Sequence, residues 1–177
     1  MSGLQALVCS VLAVVLIFTF VVRIVRVSGE SMRETLQDQD MLVVLNNWLC
    51  GTYEPGDIVI LQRDDFYGGE PIVKRVIATG GQTVDIDFET GAVYVDGALL
   101  EEDYINELTF VEEGTEFPLT VPEGSIFVMG DNRNHSSDSR DASLGTVDTR
   151  YVIGRACSWP SRGRTRPPEN GTLAALA

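Results

Sequence analysis

The feature that most constrains this chain is a long apolar run close to its first residue. Residues 4–22 contain no charged side chain. About 19 helical residues, each rising about 1.5 Å, extend roughly 30 Å, which is the thickness of the hydrocarbon core of a bilayer. A buried helix of a soluble protein is the alternative, but no polar stripe interrupts this run. We therefore predict a transmembrane helix over about residues 4–22.

The residues that follow the run indicate that the predicted anchor stays attached. A cleavable signal peptide ends in small residues, whereas here Arg23 and Arg26 lie among apolar residues. We therefore assign residues 1–26 to a single membrane anchor. Both arginines follow the span, and the positive-inside rule alone places the next domain in the cytoplasm. The motifs described below favour the opposite side of the membrane.

Length, charge and cysteine content exclude several classes of protein. The 177 residues suffice for the anchor and one domain with its own core. The net charge of -13 argues against a nucleic-acid-binding surface, which needs clustered Lys and Arg. One histidine and three widely spaced cysteines argue against a zinc site or a disulfide framework, and we expect no metal or cofactor. We expect Cys9, Cys50 and Cys157 to be small buried apolar residues, with a Cys50–Cys157 disulfide as the alternative.

Short β-prone runs recur after the anchor and predict a compact, mainly β domain over residues 27–160. The runs cover residues 41–45, 57–61, 72–78, 83–86, 92–95, 125–129 and 146–153. Asp96 and Gly97 separate two short apolar runs and predict a two-residue β-hairpin turn. An acidic excursion at about residues 101–116 is typical of solvated surface, and residues 161–177, rich in Pro, Arg and Gly, are typical of a flexible tail.

A small-residue turn follows the anchor at residues 28–36. Within it, Gly29 precedes Ser31 by two positions and Met32 follows directly. A glycine close to a serine lets backbone N–H groups turn towards one point, as the oxyanion of an acyl-transfer reaction requires. Taken alone, the pattern is more typical of an ordinary turn.

The second informative feature is Lys74, which lies in the apolar strand predicted at residues 72–78. Of the thirteen basic residues it is the only lysine. Alternation along a strand places Lys74 and Arg75 on opposite faces, so that one of them points into the domain. Unlike arginine, a buried lysine can become neutral when desolvation lowers its pKa from about 10.4 to about 7 to 8. A neutral amine can deprotonate a serine hydroxyl; a lysine that extends from the strand edge into solvent is the alternative.

A third, strongly polar segment occupies residues 129–140. Its acids and arginines can form hydrogen-bonded salt bridges that hold the loop together, and Ser136 or Ser139 can orient a nearby amine. In isolation the segment is more typical of a polar loop.

In their order behind one anchor, these three segments resemble the bacterial type I signal peptidases over about residues 26–155. The resemblance implies that Ser31 is the nucleophile, with Met32 next to the substrate, and that Lys74 is the general base. Residues 55–59, Pro-Gly-Asp-Ile-Val, add a further block of the family. The motif positions matched in the polar segment are Gly130, Asp131, Asn132, Arg133, Ser136, Asp138, Ser139 and Arg140.

The resemblance also implies supporting roles. Ser136 would hold the amine of Lys74 towards the nucleophile. The oxyanion would lie against the backbone N–H of Ser31 and a second donor. Because Gly29 stands where some members carry a serine, that donor would be a backbone group. The structural salt bridges implied are Arg75–Asp131 and Asp138–Arg140.

Two positions depart from the family pattern. Glu34 replaces the proline usually found three residues after the nucleophile, and Gly80, Gly81 and Gln82 replace a Pro-Gly-Asp turn. We expect both turns to be looser than in the family. Neither change removes a catalytic atom.

Taken together, the resemblance predicts a membrane-bound serine endopeptidase that removes signal peptides from exported precursors after small residues of the Ala-x-Ala type. The enzyme would cross the cell membrane once, with its catalytic domain on the extracytoplasmic side, close to the lipid bilayer and beside the protein-export machinery. A catalytically inactive membrane-anchored β module that binds peptides is one alternative. A Ser/Lys self-processing peptidase is another, and a Ser-His-Asp triad that uses His135 is a third.

Overall fold

The computed structural model describes residues 3–158, so the predicted tail at 161–177 lies outside the described residues. Its first element is a helix, α1, over Gly3–Leu16, which continues as a π-helical turn over Ile17–Val21. No residue of α1 is buried against the rest of the protein. The predicted apolar helix is therefore present, and Gly3–Val21 is long and apolar enough to cross a membrane.

The chain passes from this helix directly into a β-sheet. Strand β1 (Val22–Arg26) pairs antiparallel with β2 (Met41–Asn46). The indole N–H of Trp48 donates to the carbonyl oxygen of Phe20 at 2.9 Å and thereby caps the last helical turn. Residues 22–26, which the sequence analysis included in the anchor, thus form an edge strand of the domain.

The other strands follow along the chain as β3 (Ile58–Leu61), β4 (Ile72–Thr79), β5 (Thr83–Asp87), β6 (Ala92–Val95), β7 (Ala98–Leu99), β8 (Leu119–Thr120), β9 (Ser125–Met129), β10 (Val147–Asp148) and β11 (Val152–Ser158). Within residues 3–158 they form a large sheet of order β1-β2-β11-β3-β4-β9-β10 and a small one of order β7-β6-β5-β8. One short helix, α2, covers Asn47–Cys50, and 3-10 turns cover Tyr67–Gly69, Arg133–His135 and Thr149–Tyr151. The predicted mainly β fold is confirmed.

A hydrophobic cluster joins the two sheets. Ile77, Phe127 and Met129 of the large sheet pack together with Val84 and Val93 of the small one. The alternation of buried and exposed residues along β5 presents only one of its faces to this cluster. The small sheet is therefore packed against the large one through one apolar face.

A second cluster anchors the turn that carries Ser31. Met32 and Leu36 are almost fully buried there, together with Leu42 and Ile58 of β2 and β3. Burying one such side chain contributes roughly 1.5–3 kcal/mol. The turn is thus fixed against the large sheet by the apolar side chains of Met32 and Leu36.

Two local predictions have different outcomes. Strands β6 and β7 form the predicted hairpin, in which Asp96 and Gly97 adopt φ values of 52° and 77°. The single strand predicted over residues 146–153 is instead two strands, β10 and β11, separated by a 3-10 turn. The N–H of Arg150 donates to the side chain of Asp148, a local bond that competes with a continuous strand.

The cysteines differ from the prediction. Cys50 is buried, whereas Cys9 and Cys157 are exposed, and all three are free. The prediction of three buried cysteines is therefore wrong for two of them, because Cys9 lies on the outer surface of α1 and Cys157 near the end of β11. The alternative of a Cys50–Cys157 disulfide is wrong as well.

Candidate active site

Lys74 lies in the interior of the large sheet. Its strand, β4, runs between β3 and β9. Only 3% of Lys74 is exposed, and its Nζ donates to Ser136 Oγ at 3.0 Å. The neighbouring Arg75 is also buried, although alternation directs it to the other face of the strand. Both basic side chains are therefore inside, where the sequence predicted one.

Burial lowers the pKa of Lys74 from 10.5 to about 8. Loss of hydration is the largest cause, because it disfavours the charged ammonium form. The carboxylate of Asp138 opposes this change, and the guanidinium of Arg140 adds to it. The amine can therefore become neutral at mildly alkaline pH, as a general base must.

A chain of hydrogen bonds fixes the position of the amine. Ser136 accepts from Lys74 and donates its own proton to Asp138 Oδ2 at 2.9 Å. Asp138 also forms a salt bridge with Arg140, from Nε to Oδ1 at 2.8 Å, and neither side chain is exposed. The backbone N–H of Gly130 donates to the same carboxylate at 2.8 Å. Asp138 thus orients the hydroxyl group that binds the lysine.

Ser31 lies in the turn between β1 and β2. Its carbonyl oxygen accepts from the backbone N–H of Asn132 at 3.0 Å, and the side chain of Asn132 donates to the carbonyl of Glu30 at 3.0 Å. Gly29 has a φ of 98°, a region that favours glycine, and its N–H donates to Asp38 at 3.0 Å. The turn is thereby tied to the polar loop that follows β9.

Gly130 is the point at which the turn and the polar loop meet. A Cβ atom at this position would lie 2.2 Å from Ser136 Oγ and 2.5 Å from the carbonyl oxygen of Ser31. Both distances are far shorter than van der Waals contact, so any side chain here would displace the two serines. The sequence indicated Gly130 only as part of a motif, and the steric reason for a glycine comes from the structure.

One cleft of about 580 Å³ is lined by Ser31, Lys74 and Ser136. Residues 25–27 at the end of β1 and 70–73 at the start of β4 also line it. Met32 contributes to the lining although only 2% of it is exposed. Within the described part of the chain, no hydrogen bond joins Ser31 Oγ to Lys74 Nζ, and the contact that is formed is the one between Lys74 and Ser136.

A second buried salt bridge joins Arg75 to Asp131. The pair is bidentate, with Nε to Oδ1 at 2.8 Å and Nη2 to Oδ2 at 2.6 Å. Thr35 of the Ser31 turn donates to the same carboxylate. The ring of Tyr104 lies 4.0 Å from the guanidinium carbon of Arg75, within the range of a cation–π interaction. This salt bridge therefore links β4, the polar loop and the turn.

The acidic excursion contributes a third buried salt bridge, which the sequence analysis missed. Arg133 donates through Nη1 to Glu102 Oε2 at 2.7 Å, and these side chains are 0% and 6% exposed. Thr109 of the same excursion is fully buried. The excursion is therefore not wholly solvated, because part of it packs on the polar loop. The aromatic and apolar residues among its acids, such as Tyr104, are the signal that indicates this packing.

The two turns that depart from the family pattern are formed differently from each other. Glu34 has a φ of 87°, which proline, held at a φ of about −65°, cannot adopt. The turn after Ser31 therefore follows a path that excludes proline. In the other turn, Gln82 accepts through Oε1 from the N–H of Thr79 at 2.9 Å. The sequence predicted a loose turn here, whereas the side chain of Gln82 closes it.

The structure also bears on the histidine and on a possible metal site. His135 is exposed and lines the same cleft as Ser31. Among residues 3–158, no three His, Cys, Asp or Glu side chains are arranged to hold a metal ion.

Comparison with known proteins gives a consistent result. The family model described as "Signal peptidase, peptidase S26" matches residues 1–159. Signal peptidase I of Mycobacterium tuberculosis is 35% identical over 211 residues, with 86% of this chain and 71% of that protein covered. Signal peptidase I of Bacillus licheniformis is 36% identical over 158 residues, with 85% and 82% covered.

A solved structure was also matched, that of a signal peptidase I from Enterococcus faecalis. It is 32% identical, with a TM-score of 0.48, and the match covers 59% of this chain and 96% of that one. The match of the family model over most of the chain, together with the identities to the two peptidases above, shows that this chain belongs to the signal peptidase family, peptidase S26.

Proposed function

We propose that this protein is a membrane-anchored serine endopeptidase that removes N-terminal signal peptides from exported precursors, with Ser31 as nucleophile and Lys74 as general base. The observation that carries the proposal is the buried amine of Lys74, held 3.0 Å from Ser136 Oγ in the cleft that Ser31 also lines. Ser/Lys acyl transfer requires a lysine that can become neutral close to the nucleophilic serine. The lowered pKa of Lys74 supports the first requirement, and the cleft that it shares with Ser31 supports the second.

In the proposed reaction, neutral Lys74 accepts the hydroxyl proton of Ser31 as Oγ attacks the scissile carbonyl carbon. The negative charge that forms on the carbonyl oxygen is stabilised by the backbone N–H of Ser31 and a second backbone donor. The ammonium group of Lys74 then gives its proton to the leaving amine, and an acyl-enzyme remains on Ser31. The amine, again neutral, activates a water molecule that hydrolyses this ester.

The proposed substrate follows from the position of the cleft along the chain. Nine residues, 23–31, lead from the end of the apolar segment to Ser31, and an extended chain of this length covers at most about 30 Å. The first four of these residues belong to strand β1 and so lie within the sheet. The cleft therefore stays near the bilayer surface, where a precursor held by its own apolar signal segment presents its cleavage site. We propose that residues 27–160 form the catalytic domain on the extracytoplasmic side, beside the export machinery.

The proposed cleavage preference is for small residues, of the Ala-x-Ala type, before the scissile bond. Support comes from the lining of the cleft, in which residues 70–71 precede β4 and residues 72–73 begin it, so that this segment can pair with an extended peptide. Such pairing directs alternate side chains of the peptide towards the enzyme, so that the side chains of the first and third residues before the scissile bond both contact it.

The experiment that tests the proposed function compares Ser31→Ala with Ser28→Ala in the full chain, purified in detergent. Ser28 is exposed in the same turn and lines the same cleft, so it is a matched control for the loss of one hydroxyl. We expect Ser31→Ala to leave a precursor with an Ala-x-Ala signal uncleaved and Ser28→Ala to process it at the parental rate. Processing by folded Ser31→Ala at the parental rate would exclude Ser31 as nucleophile.

A further inference from the structure

We propose that Glu102 is a positioning residue for the peptidase reaction, acting through Arg133 on the backbone of Gly130. The inference rests on the proposed function, because it concerns the alignment of Ser31 with the amine of Lys74. It assigns a role to the acidic excursion, which lies outside the motifs that identify the family.

The excursion contacts the polar loop at several places along its length. We name residues 100–118, between β7 and β8, the brace, and residues 130–140 the catalytic loop. The N–H of Phe110 in the brace donates to Asn134 Oδ1 at 3.0 Å, and Arg140 Nη1 donates to the carbonyl of Val111 at 3.2 Å. The N–H of Thr115 donates to the carbonyl of Arg140 at 2.9 Å. The brace therefore runs alongside the catalytic loop and bonds to its backbone and side chains.

The strongest of these contacts is the buried salt bridge between Glu102 and Arg133. Both carboxylate oxygens bind the guanidinium group, Oε2 at 2.7 Å from Nη1 and Oε1 to Nη2. Tyr104 donates to Glu102 Oε1 at 3.0 Å, and Arg133 Nη1 also donates to Thr109 at 3.0 Å. A bidentate pair with both partners buried fixes the plane of the guanidinium group. Glu102 therefore determines where Nε of Arg133 points.

That Nε donates to the carbonyl oxygen of Gly130 at 3.1 Å. The N–H of Gly130 binds Asp138, and the space for a Cβ at Gly130 is filled by Ser136 Oγ and the carbonyl oxygen of Ser31. A shift of this backbone thus moves both serines at once. A misplacement of about 1 Å in an active site can reduce the rate about 100-fold.

The position of the Glu102–Arg133 salt bridge outside the cleft distinguishes an effect on the catalytic rate from an effect on substrate binding. Neither Glu102 nor Arg133 lines the cleft that contains Ser31 and Lys74. Removing the carboxylate therefore leaves the peptide-binding surface in place while it releases the backbone behind the reacting groups. We expect the effect in kcat and not in KM.

The test compares Glu102→Asp and Glu102→Gln with Glu101→Asp and Glu101→Gln in the full chain in detergent. Glu101 is the adjacent, exposed acid of the brace and is a matched control for the loss of a methylene group or a charge. kcat and KM are measured with a precursor-derived peptide, and the folded fraction from the melting of tryptophan fluorescence. For Glu102→Asp we expect kcat to fall about tenfold or more, with KM within about twofold of the parent. Both Glu101 variants should keep the parental values.

Because Glu102→Gln leaves a buried guanidinium without its counter-charge, that variant can fail to fold, and Glu102→Asp then decides alone. A folded Glu102→Asp variant with the kcat of Glu101→Asp, or with a change confined to KM, overturns the proposal. Ser31→Ala is assayed alongside. If Ser31→Ala is inactive and Glu102→Asp is normal, only the role of the brace fails; if Ser31→Ala is active, the proposed function itself fails.

Discussion

The amine nitrogen of Lys74 lies 3.0 Å from the hydroxyl oxygen of Ser136, and that hydroxyl group donates to Asp138 at 2.9 Å. The lysine is thereby held by a neutral partner, with the carboxylate one hydrogen bond further away. A carboxylate in direct contact would stabilise the ammonium form and raise the pKa of the lysine. The serine between them fixes the amine and still allows it to lose its proton.

The first prediction concerns pH. The proposed mechanism requires neutral Lys74, so kcat/KM should rise with pH until the pH passes the pKa of about 8 to which burial lowers this lysine. On the acid side, each pH unit should lower kcat/KM about tenfold, because the fraction of neutral amine falls by that factor. The measurement is the pH profile of peptide cleavage in detergent. An acid limb near the ordinary lysine pKa of 10.5 would show that the base is not this buried amine.

The second prediction concerns stability. The folded pKa of Lys74 is about 8 and its ordinary value is 10.5, so the unfolded chain binds more protons between these two pH values. The contribution of Lys74 to the free energy of unfolding therefore rises with pH across that window. Below it, the buried ammonium destabilises the fold by an amount on the order of 3 kcal/mol. Lys74→Met should be more stable than the parent at neutral pH in denaturant unfolding. A less stable Lys74→Met would contradict the burial of an uncompensated charge.

The third prediction contrasts two salt bridges. Asp138 and Arg140 are both 0% exposed, whereas the side chains of Arg150 and Asp148 are 85% and 32% exposed. Asp138→Asn leaves a buried guanidinium unpaired and should lower the free energy of unfolding by about 3–5 kcal/mol. Asp148→Asn should leave it nearly unchanged, because water screens that pair. Urea unfolding of both variants checks this, and equal losses would refute the distinction.

The fourth prediction concerns the backbone at Glu34. Its φ of 87° is unfavourable for any residue with a Cβ, and glycine should relieve about 1 kcal/mol of that strain. Glu34→Pro, which places the family's usual residue here, should destabilise the fold because proline cannot adopt a positive φ. Thermal unfolding should therefore rank the variants in the order Gly, Glu, Pro. If the proline variant is the most stable, the turn takes the path that the family's proline prefers.

The features that could be predicted from the sequence are those whose pattern lies within a few neighbouring residues. An apolar run long enough to span a bilayer and an Asp-Gly turn between apolar pairs each carry their physical meaning within a few residues. The helix at Gly3–Val21 and the β6–β7 hairpin follow from them. The sequence did not decide whether Lys74 or Arg75 points inward, and both are buried.

The remaining features depend on contacts between residues far apart in the chain. Strand β1 is a strand because β2 pairs with it, and nothing within residues 22–26 distinguishes an edge strand from the end of an anchor. Glu102 binds Arg133, which lies 31 positions further along the chain. An acidic run on its own is typical of a solvated surface segment. The steric role of Gly130 likewise requires the positions of two serines that lie in different loops.

In the proposed mechanism a neutral Lys74 takes the proton of Ser31. The decisive measurement is the rate at which the purified full chain carrying Lys74→Arg cleaves a precursor in detergent. Arginine retains a positive charge on a long side chain but cannot become neutral. We expect no cleavage above background for a folded Lys74→Arg variant, with Ser28→Ala cleaving at the parental rate in the same assay. Cleavage by folded Lys74→Arg at the parental rate would contradict this mechanism.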